Sequence, residues 1–217
     1  MMPINRLPSS FSRPVFFFLS ALMAMIWLSG CATPGIRNTQ RTFNTVIVDP
    51  GHGAKDNGAT ARSGLHEKDC TLAVGLKLKD ELQKTGYRVI MTRDTDVFIP
   101  LNDRAAISNR YHNAIYVSIH FNDSPRHDIH GTEVYYNSTQ AIPLARNILD
   151  SMHGLTTERF IKHANFRVLR LNENPAVLVE CAYLSNRPEA ANSGSDAFRK
   201  HLAEQIALGI YKTRKGD

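Results

Sequence analysis

The chain has 217 residues, 42% of them apolar and 21% charged, with a formal net charge of +6. This composition excludes a disordered, collagen-like or disulfide-scaffold protein and provides for one sizeable core. The basic residues are scattered rather than gathered into a stripe, which argues against a nucleic-acid partner, while a mild positive field suits an anionic polymer.

In chain order, Arg6 and Arg13 precede an apolar run from Val15 to Leu28, followed by Ser29, Gly30 and Cys31. A positive region, a hydrophobic region and small residues before a cysteine are the layout of a bacterial lipoprotein signal. The run is too short for the roughly 20 residues that a membrane-spanning helix requires. Residues 1–30 are therefore expected to be removed, and Cys31 to be lipidated. Residues 31–42, polar and without periodicity, are expected to tether a single domain over 43–217. Ala32, not an acidic residue, follows Cys31. That favours the outer membrane, facing the periplasm, if the organism has two membranes.

From Phe43 the pattern predicts alternating strands and helices. A strand over Thr45–Asp49 leads into a loop marked by Gly51, Gly53, Gly58 and Gly64. A helix over Asp69–Lys84 presents Leu72, Val74, Leu76, Leu78 and Leu82 on a wide apolar face and stops at Gly86. There follow a strand over 87–92, a helix over 101–112, strands over 114–120 and 131–136, and a helix over 140–152. Strands over 166–170 and 176–181 and a last helix over 196–212 complete the domain. This alternation predicts an α/β fold, a single three-layer α/β/α domain with a mostly parallel central sheet. The unbroken apolar runs Val46–Val48 and Val177–Val179 agree, because such strands are covered on both faces.

Three of the strands end on side chains suited to zinc chemistry: His52 after the first, His120 on the third and Glu180 on the last. Glu67 stands at the mouth of the first long helix. In open α/β sheets, sites form beyond the carboxyl ends of strands. A catalytic zinc takes three protein ligands and leaves one position open for water. His52, Glu67 and His120 are the candidate ligands for one zinc ion. Glu180, costly at the end of an apolar strand unless useful, is the candidate general base toward that water and then acid toward the leaving amine.

The same segments carry a resemblance. Asp49-Pro50-Gly51-His52-Gly53, Gly64-Leu65-His66-Glu67-Lys68 and Ser118-Ile119-His120-Phe121-Asn122 are similar to motifs of the zinc-dependent N-acetylmuramoyl-L-alanine amidase family. So are Pro175–Glu180 with Leu184-Ser185-Asn186, and Thr92-Arg93-Asp94 with Leu101 and Arg104-Ala105. The resemblance covers residues 43–212. It implies hydrolysis of the amide between N-acetylmuramic acid and the L-alanine of the stem peptide, with zinc on His52, Glu67 and His120 and with Glu180 catalytic. Peptidoglycan, both stem peptide and glycan, is the implied partner, and the cell envelope the implied location. Another zinc peptidase or deacylase on this scaffold is the alternative, since fold does not dictate substrate.

Two departures bear on the site. Relatives usually carry a small residue where this chain has Phe121, which is expected to narrow the cleft. Some periplasmic relatives carry a long helical plug that blocks the zinc; the stretch from Leu144 to Val168 is too short for one, so no obligatory activator is expected.

Further expectations concern neighbouring residues. Asn122, Arg93 and Arg104 are candidate substrate contacts, the arginines through bidentate recognition of a stem-peptide carboxylate. His66 is expected beside the site rather than on the metal. His127 and His130 belong to a polar loop. Cys70 and Cys181 are compatible with a bridge or with two separate buried thiols.

Overall fold

The computed structural model describes residues 35–39 and 41–216. The expected signal and the lipidated Cys31 lie outside the described residues. Among the described residues no helix is long and apolar enough to cross a membrane.

The elements are β1 (Thr45–Pro50), α1 (Glu67–Lys84), β2 (Arg88–Met91), α2 (Leu101–Asn109), β3 (Ala114–Asn122), β4 (Thr132–Tyr136), α3 (Ile142–Ser151), β5 (Glu158–His163), α4 (Arg167–Arg170), β6 (Ala176–Tyr183), α5 (Arg187–Ser193) and α6 (Asp196–Lys215). The six strands form one sheet in the order β2-β1-β3-β6-β4-β5. β1, β2, β3 and β6 run parallel, whereas β4 pairs antiparallel with β6 and parallel with β5. The expected α/β architecture with a mostly parallel sheet is what the structure shows.

Side chains alternate between the two faces of the sheet. On one face Val46 and Val48, Ile115, Val117 and Ile119, and Val177 and Val179 meet Val74, Leu78 and Leu82 of α1, Leu144 and Ile148 of α3, and Leu202, Ile206 and Ile210 of α6. These side chains are buried completely, and each contributes about 1.5–3 kcal/mol of hydrophobic stabilisation. The opposite face is thinner: Ile47, Tyr116 and Leu178 pack under Val168 and Leu169 of the one-turn helix α4, beside α2. Because the period is two, Asp49, Ser118, His120, Glu180 and Glu133 fall on this second face. The lightly covered face therefore carries the polar side chains.

Three local expectations are corrected. Residues 166–170 form the N-cap and the whole of α4, not a strand: Val168 and Leu169 are adjacent and both buried, which one helical turn achieves and a strand facing a single layer cannot. The missing strand is β5, whose sequence ERFIKH is half exposed because it pairs only with β4. The helix α5 is also additional. Its start is written locally, with the Asn186 side chain accepting from Glu189 N and a proline in the first turn.

Within the span read as a tether, Arg37 and Thr39 lie against the domain. Arg37 N donates to Glu173 O at 2.7 Å, the Arg37 guanidinium pairs with Glu173, and Thr39 Oγ1 donates to Ala114 O at 2.6 Å. These contacts sit where β3 begins and just before β6, the opposite end of the sheet from His120.

Candidate metal centre

Beyond β1 the chain turns sharply, and His52 takes φ 61, a left-handed conformation that is uncommon for a side chain other than glycine. Strain of this kind persists only where surrounding contacts enforce it. Here two buried arginines do so. Arg93 donates from Nε to Pro50 O at 3.0 Å and from Nη2 to Gly51 O at 2.8 Å. Arg104 donates to Pro50 O at 2.7 Å and to His52 O at 2.6 Å. Arg104 is in turn paired with buried Asp49 at 2.8 Å. Thr92, Tyr116 and Ser118 supply that carboxylate with hydroxyl donors at 2.6, 2.5 and 2.7 Å. The expectation that Arg93 and Arg104 receive a substrate carboxylate is thereby corrected. Both are 2% exposed, and their donors are engaged by carbonyls and Asp49, so their work is to hold the turn that presents His52.

Glu67 opens α1 and is 4% exposed. Its Oε2 accepts from Ala59 N at 2.8 Å and its Oε1 from Phe121 N at 3.0 Å. The same Oε1 lies 3.1 Å from His52 Nε2 and 2.9 Å from His120 Nδ1. Burial opposes ionisation of Glu67, but the hydrogen bonds and charges of His120 and His52 outweigh it and hold the carboxyl well below its usual range. Burial likewise depresses His120, yet Glu67 overcomes this and raises the imidazole to about 8. Behind His52, Asp56 Oδ1 is 2.9 Å from Nδ1 without the alignment of a hydrogen bond. Glycines make the cluster possible: a Cβ on Gly51 would lie 2.4 Å from the His120 ring, and one on Gly58 would lie 2.4 Å from Glu67 Oε2.

One ligand atom from each of His52, Glu67 and His120 lies within 4.8 Å of the others. Two imidazoles and an ionised carboxylate converging on one point form a donor set that fits a divalent ion such as zinc. The expected trio is thus brought together.

Glu180 stands beside it, paired in register with His120 across β3 and β6. Its Oε2 is buried without a hydrogen-bond partner. Burial is the main cause that pushes Glu180 up to about 7; nearby Glu67 and Glu133 add to the rise and His120 opposes it.

A cleft of about 800 Å³ opens over these groups. Asn122 lines it, with Nδ2 donating to Glu133 Oε2 at 3.2 Å and Oδ1 accepting from Asp123 N at 2.9 Å. Phe121 is 1% exposed and its side chain joins the main core, so it does not narrow the cleft as expected. His66 bonds Thr60 Oγ1 at 3.1 Å, away from the trio, while His127 and His130 contact loop carbonyls. Cys70 and Cys181 are separate buried thiols.

Sequence reasoning missed Asp56, whose signal is only its spacing of four from His52. It also missed Glu133. This carboxylate, 2% exposed, accepts from Tyr135, Tyr183, Arg159 and Asn122 and lies opposite Glu180 in the β4–β6 register. Its position in a strand of alternating character was legible, but its partners come from four separate places in the chain.

Comparison with known proteins identifies the family. The family model described as N-acetylmuramoyl-L-alanine amidase (Amidase_3) matches residues 46–212. The N-acetylmuramoyl-L-alanine amidase AmiC of Neisseria meningitidis is 30% identical over 81% of this chain, which spans 53% of that relative's length. Two solved structures are similar. AmiC2 of Nostoc punctiforme shares 37% identity with a TM-score of 0.74, covering 77% of this chain and 95% of that one. The catalytic domain of CwlV from Bacillus (Paenibacillus) polymyxa shares 35% identity with a TM-score of 0.75, covering 78% and 97%. With its sheet order, its clustered His52, Glu67 and His120, and a family match across nearly all of the described domain, this chain belongs to the Amidase_3 family of N-acetylmuramoyl-L-alanine amidases.

Proposed function

We propose that this chain is a zinc-dependent N-acetylmuramoyl-L-alanine amidase that cleaves the amide between N-acetylmuramic acid and L-alanine in peptidoglycan. The observation that carries the reading is the convergence of His52, Glu67 and His120 beside a buried carboxylate whose Oε2 has no partner. Zinc, when bound by these three residues, supplies Lewis-acid polarisation of the scissile carbonyl and a lowered pKa for water.

The protein's own residues do the rest. Asp49, Arg93 and Arg104 fix the turn that carries His52. The amides of Ala59 and Phe121 orient Glu67, so the ligand set is organised before any ion arrives. Glu180, beside His120 in the sheet and with Oε2 buried without a hydrogen-bond partner, takes a proton from attacking water and returns one to the leaving amine. A carboxylate so placed typically contributes about 10²- to 10⁴-fold in rate. Asn122 stands at the cleft edge, where it either orients Glu133 or meets substrate.

The anchoring proposed for Cys31 is compatible with this geometry. Arg37 and Thr39 dock at the end of the sheet remote from the cleft. A lipid at Cys31 would then hold the domain at a membrane surface, the outer membrane in a two-membrane organism. No activator is required in this proposal.

The test is mass spectrometry of digested peptidoglycan. Stem peptides with a free L-alanine amino terminus, absent when a chelator is added, support the reading. Fragments cut within the stem peptide, or by deacylation, would replace it with another zinc hydrolase.

A further inference from the structure

The cleft is lined by two kinds of side chain. Around the metal half, His52, Glu67 and His120 are joined by Asp56, Asn122 and Asp123. The starts of α2 and α4, which touch each other, and β6 add the apolar Phe98, Ile99, Leu101, Phe166, Val168 and Leu178, with the cation Arg167 among them. Phe98, Leu101 and Phe166 are 39%, 52% and 41% exposed, which places three of the seven exposed large apolar side chains among the described residues in this one cleft. Scattered exposed apolar residues carry no meaning, but their concentration in a cleft marks a surface built to be covered.

The apolar lip is also held in shape. Leu101 and Asn102 open α2, and Phe166 and Arg167 open α4. Arg167 Nε donates to Asn102 Oδ1, so the two helix starts are joined directly. The Phe166 ring rests edge-on against Tyr135 with centroids 5.1 Å apart. Tyr135 in turn donates to Glu133 at 2.6 Å. Lys55 stands over the Phe98 ring, 4.9 Å from its centroid.

An amide positioned at the metal half has a sugar on one side and a peptide on the other. The carboxylates of the stem peptide would turn to the cations at the rim, Lys55 and Arg167, and gain nothing from the uncharged faces of Phe98, Leu101 and Phe166. A pyranose is uncharged and presents faces of C–H groups, which pack on aromatic rings. We propose that Phe98, Leu101 and Phe166 form the seat of the muramyl sugar and set specificity for the glycan side of the scissile bond. This deepens the amidase reading and rests on it.

The test compares two substrates for the zinc-loaded protein: N-acetylmuramoyl-L-alanyl-D-glutamate, and the same compound with the sugar removed, lactyl-L-alanyl-D-glutamate. Both keep the scissile amide. The wild type is expected to favour the muramyl compound through KM. Phe98→Ala and Phe166→Ala are each expected to shrink that preference by about tenfold, and Phe98→Tyr and Phe166→Tyr to restore it. Equal losses on both substrates, or an undiminished preference in the alanine variants, would overturn the proposal. N-acetylmuramic acid alone provides a second reading by NMR titration. Binding that weakens in the alanine variants supports the sugar seat even if neither compound is hydrolysed, a result that would instead reject the amidase reading. Binding indifferent to both substitutions overturns the seat whatever the activity.

Discussion

Asp49 has no place in the chemistry, yet the account makes it one of the most costly residues to alter. In Asp49→Asn the amide can still face Thr92, Tyr116 and Ser118, whose hydroxyls can reverse. It cannot neutralise Arg104, which is 2% exposed. Removing one partner of a buried ion pair leaves an uncompensated charge and costs about 3–5 kcal/mol. For a domain of this size each kcal/mol lowers Tm by roughly 2–4 °C, so a fall of roughly 6–20 °C is expected. Differential scanning calorimetry at neutral pH measures it. The double variant Asp49→Asn/Arg104→Met removes the stranded charge and should recover part of the loss. Burial alone would raise the Asp49 carboxyl, but Arg104 and the three hydroxyls hold it below its usual value. Its contribution is therefore present above the unfolded value of about 3.9 and lost as pH falls through the lower folded value, so the wild type should lose stability in acid more steeply than the double variant. A Tm drop under about 2 °C for Asp49→Asn, with no recovery in the double variant, would refute this reasoning.

Other outcomes follow from the same geometry. Glu180→Gln should retain the metal and lose about 10²- to 10⁴-fold in kcat. Burial pushes the carboxyl up to about 7 in the metal-free site and a bound dication would lower it, so any rising limb of kcat/KM that belongs to its ionisation should lie below pH 7 and disappear with it. The same substitution should stabilise the metal-free protein above pH 7: a carboxyl with a raised folded pKa resists ionisation, and ionisation costs folding energy there. An unchanged pH profile or a lower melting temperature would count against the role of Glu180. Gly51→Ala puts a Cβ 2.4 Å from the His120 ring and should weaken metal affinity at least about tenfold, read by competition with a chelating dye. Gly64→Ala, with nothing within 4 Å but φ +85, should cost about 1 kcal/mol in stability and leave metal affinity intact. Cys31→Ser should free the protein from membranes; persistent lipid labelling would contradict the proposed anchor.

Much of the fold was legible because its strands and long helices carry strong periodic signals. β1, β3 and β6 read as buried apolar runs, and α1 and α6 as amphipathic helices. What escaped was short or at an edge. β5 alternates weakly because it has a neighbour on one side only, and α4 is a single turn whose two buried residues mimic a strand. His52, His120 and Glu180 were legible because each closes or follows an apolar run at the end of the sheet where sites form, and Glu67 because it stands at the mouth of the first long helix. Arg93 and Arg104 were misread because nothing local distinguishes an arginine that greets substrate from one that ties down a turn. That difference depends on the carbonyls of Pro50, Gly51 and His52, which curl back toward both guanidinium groups only once the chain is folded.

The most direct test of the metal centre is turnover against metal content in a single preparation. Protein stripped of metal should release no stem peptide from sacculi, and activity should return in proportion to zinc added, reaching its limit at one equivalent. His120→Ala should neither retain zinc nor respond to it. Full hydrolysis by stripped protein, or a full complement of zinc in His120→Ala, would contradict the account.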